Sequence, residues 1–234
     1  MSEPITKRVK KGLKKIVHPA VRQLKPAPPL PTEPMSVRWG SDRGTPVDRY
    51  YIDRFIGAHS SDIKGAVLEI KDRRYTNQFG QGVDRSEVLD VDRANPNATV
   101  IADLAAADGI PSESYDCFIL TETLQYIYDL KAAAAHAHRL LKPGGVLLVT
   151  VPCLSPIDME LEAVDYWRFT RNSCRELFSD LFDGAVEVEQ YGNFASCMAW
   201  LAGLAVEEVD PALLDERSTM YVQGVCLRAQ KQQA

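Results

Sequence analysis

Five short apolar runs, spaced by turns and by stretches of helical period, restrict this chain to very few architectures. They read GAVLEI (65–70), SEVLDV (86–91), ATVIAD (98–103), YDCFILT (115–121) and GVLLVTV (145–151). Each has the length and apolar density of a buried strand. Between and around them lie helical patterns. VDRYYIDRFIGA carries apolar residues at 47, 51/52 and 55/56, and LKAAAAHAHRLL (130–141) is stopped by KPGG (142–145) in the manner of a C-cap turn. Thr45 and Pro46 read as N-cap and first residue of the earlier helix. Downstream, a helix is expected over 171–182, a strand over 185–191, a helix over 194–206 and a last strand over 220–228. Strands alternating with helices specify a doubly wound α/β fold whose mostly parallel sheet is covered on both faces. In such sheets ligands bind outside the carboxyl ends of the strands, so the residues just after each strand carry the functional information.

The 234 residues, 45% hydrophobic and 25% charged, suit one such domain. It is expected over 35–234, behind a basic tail and Pro-rich linker at 1–34. The net charge of −5 conceals an asymmetry: residues 1–26 hold eight Lys/Arg against one Glu, so the rest of the chain carries −12. That acidic body would repel phosphate, and nucleic acid is not expected as a partner. In the tail, Val9, Leu13, Ile16 and Val17 fall near helical spacing among basic residues, a pattern suited to weak contact with an anionic membrane surface. No apolar run reaches the roughly 20 residues of a membrane span, and no apolar signal core follows the N-terminal charges. The expected location is cytoplasmic, peripheral to the inner membrane face. Five isolated cysteines form no CxxC, and no metal site is expected.

The strand ends are rich in acids. Glu69 and Asp72 mark the first, Asp90 and Asp92 the second, Asp103 the third, and Thr121-Glu122 the fourth. A carboxylate after a second strand can accept from both hydroxyls of a ribose, and one after a third can accept from an exocyclic amine. Four histidines, at 18, 59, 136 and 138, lie away from these ends, so no general base stands out among them.

GAVLEI, LDVD, VIADL, YDCFILTETLQYIYD and LLKPGGVLLVTVP together resemble the successive signature segments of class I S-adenosylmethionine (SAM) methyltransferases, of the small type that includes ubiquinone methyltransferases. The likeness covers residues 60–155. It implies a Rossmann-like seven-stranded sheet of order 3-2-1-4-5-7-6 with strand 7 antiparallel, SAM as cofactor, and methyl transfer to a small-molecule or saccharide acceptor. It places Glu69, Asp72, Tyr75, Asp92, Asp103, Leu104 and Thr121 at the cofactor, with Asp92 (or Asp90) at the ribose, Asp103 at the adenine amine and Glu122 beside Thr121 near the methionine end. WGSDRGTPVDRYYIDRFI (39–56) and DYWRFT (165–170) also resemble a bacterial subgroup found beside glycosyltransferases, which implies glycan modification. One departure stands out: where the family has E-x-G-x-G-x-G, the glycine positions here hold Lys71, Arg73 and Tyr75.

The long connection 152–169 after the fifth strand opens at the carboxyl edge, where an acceptor must sit. Asp158, Tyr166 and Arg168 are its candidate catalytic residues, an aromatic beside Arg being suited to stack on a sugar and grip a hydroxyl or carboxylate. A second cluster, Arg43, Asp48, Arg49 and Tyr50, belongs to the leading helix. The missing glycines favour a second reading, a methyltransferase fold kept as a non-catalytic binding or scaffolding protein. A nicotinamide oxidoreductase lacks its GxGxxG.

Overall fold

The computed structural model describes residues 30–233. The basic amphipathic segment and the start of the Pro-rich stretch lie outside the described residues.

The sheet has seven strands in the order β3-β2-β1-β4-β5-β7-β6. They are β1 (Gly65–Ile70), β2 (Val83–Asp90), β3 (Val100–Ile101), β4 (Tyr115–Thr121), β5 (Leu141–Pro152), β6 (Val186–Tyr191) and β7 (Gly224–Gln230). β7 runs antiparallel to both β5 and β6, and the remaining pairs are parallel, as the family resemblance implied. The helices are α1 (Val47–Ala58), α2 (Arg74–Phe79), α3 (Leu130–Leu140), α4 (Arg171–Ser179), α5 (Phe194–Leu201) and α6 (Pro211–Asp215).

The period of two along the central strands builds both faces of the core. In β4, Phe118 and Leu120 point into one cluster with Ala133, Ala134 and Ala137 of α3 and Phe178 of α4. Cys117 and Ile119, the alternate residues, point into the other with Ile52 and Ile56 of α1 and Tyr75 of α2. All four β4 residues are fully buried. Three alanines on one face of α3 let its backbone lie close to the sheet, while Asp129 caps the helix by accepting from the Ala132 N–H at 3.0 Å.

The segment before α1 and the segment before β7 are fastened to each other. Arg43 forms a two-pronged ion pair with Glu208, and Glu207 accepts from the Thr45 N–H at 2.9 Å and from the Thr45 hydroxyl at 2.7 Å. Farther along α1, the Tyr51 hydroxyl donates to the Leu214 carbonyl at 3.0 Å and Tyr50 to Asp215 at 2.7 Å. Thr45 does not cap α1: its hydroxyl donates to Glu207, and Pro46 takes the cap position without a side-chain bond.

Several boundaries differ from the sequence expectation, each for a local reason. The expected strand 98–103 pairs only at Val100 and Ile101, because Asp103 turns back to accept from the Ala105 N–H and opens a 3-10 turn. The KPGG stretch does not merely stop α3. Leu141 already pairs with Tyr115, and the irregularity that follows is absorbed by Gly144 at φ +81°. α4 ends at Ser179, where Gly184 donates back to the Ser179 carbonyl at 2.9 Å. α5 ends at Leu201, before Gly203 at φ +69°, whose missing Cβ would strike the Ser36 carbonyl. The last strand begins at Gly224 rather than 220, because the Ser218 hydroxyl accepts from the N–H groups of Met220 and Tyr221 at 3.1 Å and holds them in a turn.

β4 is the strand on which both layers rest, so Phe118→Ala is expected to lower unfolding free energy by about 3–5 kcal/mol, the transfer and cavity cost of a deleted buried ring. Urea denaturation followed by circular dichroism measures it.

Candidate active site at the carboxyl edge

β1 ends in a polar turn that the sequence fixes residue by residue. Glu69 is 1% exposed, and both its oxygens are spent inside the protein: on the N–H groups of Tyr75 and Thr76 at 2.8 Å and on the Thr76 hydroxyl at 2.7 Å. It holds the N-terminus of α2, where a carboxylate also meets the positive end of the helix dipole. Burial raises its pKa, opposed by the Thr76 hydroxyl. Asp72, exposed, accepts from the Arg74 N–H at 2.8 Å. Lys71 lies at φ +71°, the left-handed conformation that glycine adopts freely. The backbone thus keeps the shape of a glycine turn while a lysine occupies it.

β2 ends at Asp90, half-buried, which accepts from the Asp92 N–H at 2.9 Å and from the Asn95 amide at 2.6 Å. The same Asn95 amide donates to the Lys71 carbonyl at 2.7 Å and ties the first two strand-end loops together. Asp92 is exposed and accepts from the Ala94 N–H at 2.8 Å. Asp103 is exposed, with one oxygen on the Ala105 N–H at 2.8 Å, whereas Leu104 is 3% exposed and packs into the core. Thr121, half-buried, closes β4.

A charged cluster forms where α1 crosses the ends of β4 and β5. The Arg49 guanidinium donates to the Tyr75 hydroxyl at 2.7 Å. Burial alone would lower the Arg49 pKa, but the neighbouring Asp48 carboxylate, with Tyr75 and Glu122, raises it. Burial pushes the Tyr75 phenol up to about 12, against the pull of Arg49. Asp48 Oδ1 and Glu122 Oε1 are shielded from solvent and accept no hydrogen bond from the protein. Burial raises the Asp48 pKa. Burial, and after it the negative charge of Asp48, push Glu122 up to about 7. Glu122 also sits at φ +43°, a strained setting for a side chain with a Cβ. Nearby polar atoms are unmatched too: Thr150 Oγ1 in β5 and Gln125 Oε1 in the turn after β4. Buried polar atoms left unmatched inside a protein cost free energy unless a ligand or water meets them, and here they gather at one strand edge.

The connection after β5 folds back onto the turn after β4. The backbone N–H groups of Tyr166 and Trp167 donate to the Gln125 carbonyl at 2.9 and 3.2 Å, and the Trp167 indole to the Ile127 carbonyl at 3.0 Å. Arg168 is consumed within this loop. It grips both Asp165 oxygens and reaches the Pro156 carbonyl at 2.9 Å. Asp158 accepts from the Tyr126 hydroxyl at 3.0 Å. Tyr166 remains 44% exposed, edge-on to Tyr128 at 5.3 Å. A groove of about 530 Å³ opens beside the end of β5, walled by Leu154, Thr170, Arg171, Cys197, Met220 and Tyr221 among others.

Of the residues expected on the cofactor, Glu69, Asp72 and Tyr75 fall on one turn, and Asp92 and Asp103 on the neighbouring strand ends with free carboxylate oxygens facing solvent. Asp158, Tyr166 and Arg168 share one loop. Sequence reasoning marked Asp48 and Arg49 only as part of a cluster. The joining of Asp48 to Glu122 has no local signal, since 74 residues and four strands separate them. Thr150, inside an apolar strand, carries none either.

Residues 38–182 match the family model described as a methyltransferase domain. No curated protein sequence matches the chain. Among solved structures, the chain is similar to an S-adenosylmethionine-dependent methyltransferase from Mesorhizobium loti, with 15% identity, TM-score 0.53, and 79% of this chain and 100% of that one covered. It is also similar to the [4+2]-cyclase SpnF, with 14% identity, TM-score 0.51, and 82% and 84% covered. At such identity these likenesses concern the fold.

Lys71 in the left-handed region generates a stability prediction. Lys71→Gly is expected to stabilise the protein by about 0.5–1 kcal/mol, the relief of side-chain strain less the added chain entropy of glycine, while Lys71→Val is expected to destabilise it. Chemical denaturation of the two variants side by side checks the opposite signs.

Proposed function

The chain belongs to the methyltransferase-domain family, and on that footing we propose that it is a methyltransferase using S-adenosylmethionine, with its reaction centre at the carboxyl ends of β1, β2, β4 and β5. The observation that carries this reading is the set of buried, unmatched acceptors, Asp48 Oδ1 and Glu122 Oε1, beside Arg49. A donor-bearing, positively charged ligand flanked by a carboxylate fits such a set: the carboxylates suit an ammonium or sulfonium, and the free N–H groups of Arg49 suit a carboxylate. Asp92 would hold the ribose hydroxyls and Asp103 the adenine amine, each through the oxygen it does not spend on its own turn. The cofactor, when bound, supplies a methyl group on a sulfonium, a good leaving group. The chain's part is positioning, exclusion of water and management of one proton.

The acceptor is proposed to be a small molecule, and within that class a saccharide-bearing one, entering beside β5. The groove of about 530 Å³ and the exposed aromatic edge of Tyr128 and Tyr166 support this reading, since an aromatic face can stack on a sugar ring. Asp158 and Arg168 act through the loop, setting its shape by their bonds to Tyr126 and Asp165. Among the described residues no helix is long and apolar enough to cross a membrane. The basic residues 7–25 support peripheral contact with an anionic surface from the cytoplasmic side.

A second reading has a specific observation behind it. Lys71 and Tyr75 stand where the family's turn has glycine, so a side chain occupies space that a cofactor's backbone contacts use elsewhere, and a non-catalytic binding role would tolerate this. Isothermal calorimetry with SAM and S-adenosylhomocysteine decides between them. The methyltransferase reading expects binding of both, weakened by about 1.5–3 kcal/mol in Asp92→Ala, the scale of lost charge-assisted hydrogen bonds. No binding at millimolar ligand would leave the scaffold reading.

A further inference from the structure

Asp48 and Glu122 come from elements that meet only in the fold, α1 and the turn after β4; each has one oxygen shielded from solvent and unmatched, and both lie near Arg49 and Tyr191. The charges around them do not balance if both are ionised. Arg49 lies beside both, but its guanidinium is one cation against two carboxylates. Arg168, which faces Glu122 from the loop after β5, is already neutralised by Asp165, and Arg74, which faces Asp48 from α2, by Asp53 at 3.2 Å. The other titratable groups facing the pair, Tyr75 from α2, Tyr191 from β6 and Cys226 from β7, are held neutral by burial. Thr150 in β5 turns a hydroxyl toward Glu122, which favours its charged form but adds no charge. Two neighbouring carboxylates near one cation and shielded from water favour keeping a proton on one of them.

We propose that Asp48 and Glu122 form a proton-sharing pair whose ionisation follows the charge of the bound ligand: with a sulfonium present both are carboxylates, and as methyl transfer removes the positive charge Glu122 takes up the proton that the acceptor loses. This rests on the methyltransferase reading. The balance is complete. The bond from sulfur to methyl breaks, and its electron pair stays on sulfur, leaving a neutral thioether. The acceptor's oxygen or nitrogen forms the new bond to the methyl carbon, and its proton passes to Glu122. The cluster begins and ends with the same net charge. The strain at φ +43° and the unmatched Oε1 then have a common reason, since they hold one carboxylate oxygen toward the reacting groups rather than toward a partner within the protein. The titration of Glu122 near neutrality agrees with this, because a group that takes a proton in each cycle works best near the ambient pH.

The test uses the full-length chain, SAM and S-adenosylhomocysteine, and needs no acceptor. Calorimetry at pH 7 in two buffers of different ionisation enthalpy counts protons released on binding. SAM is expected to release about half a proton more than the thioether, the share held by a group titrating at that pH. The excess should vanish in Glu122→Gln. In Asp48→Asn, where the repelling charge is gone, it should move to lower pH. Carboxyl carbon NMR of the ligand-free protein should show Glu122 titrating near neutrality. Stability carries the same signature. A carboxyl whose pKa is raised on folding binds its proton more tightly in the folded state, so the thermal midpoint should fall as pH rises from about 4.5 to 7, and Glu122→Gln should flatten that fall. Equal proton release by the two ligands, an excess that survives in Glu122→Gln, or a Glu122 midpoint in the ordinary carboxylate range would overturn the pair while leaving the methyltransferase reading intact. If neither ligand binds, that reading falls and the pair falls with it.

Discussion

Burial of the three central strands on both faces is the constraint from which the site follows. β1, β4 and β5 have helices above and below, so polar side chains with no partner inside the protein have few places on these strands other than their ends. Antiparallel β7 adds its own start to the same edge, where Gly224 lies against Pro152. The acids that punctuate the sequence after each apolar run are therefore brought to one rim by the sheet itself. The helices then decide which of them see water. Asp48 on α1 and Glu122 at the end of β4 each keep one oxygen away from solvent, whereas Asp92 and Asp103 stay exposed.

Within that rim, acids of similar appearance do different work. Glu69 uses both oxygens on the start of α2 and shapes the turn through which a ligand would be approached. Asp90 and Asn95 lock the second loop to the first. Arg168, the one cation in the long loop's aromatic segment, is fully occupied by Asp165 and backbone carbonyls. Among the acids of the rim, those with an oxygen both shielded from solvent and unmatched are Asp48 and Glu122, which sets them apart from the acids that hold the turns in shape.

Much of this was legible in the sequence. Strand identity came from apolar density, and sheet order from the resemblance carried by LDVD, VIADL and YDCFILT…LLKPGG. The boundaries that moved were set by single side chains: Asp103 and Ser218 turning on their own backbone to cut β3 to two residues and delay β7, and Glu207 claiming Thr45 from 162 residues away. Such bonds depend on a tertiary neighbour or on a competition the pattern does not weigh. The pairing of Asp48 with Glu122 was beyond a reading along the chain, because it exists only once α1 has been laid across strands encoded 70 residues later.

The fastening of α1 to the segment before β7 has a kinetic side. Arg43 meets Glu208 across 165 residues, and Tyr50 and Tyr51 meet Asp215 and Leu214 across nearly as many. Contacts so distant along the chain close large loops and form late. α1 is thus among the last elements to gain its partners, and Asp48 on it is held only once the segment before β7 has been made. A chain halted before residue 205 would contain every residue of the family's signature segments and still lack the clasp that holds Asp48 in place.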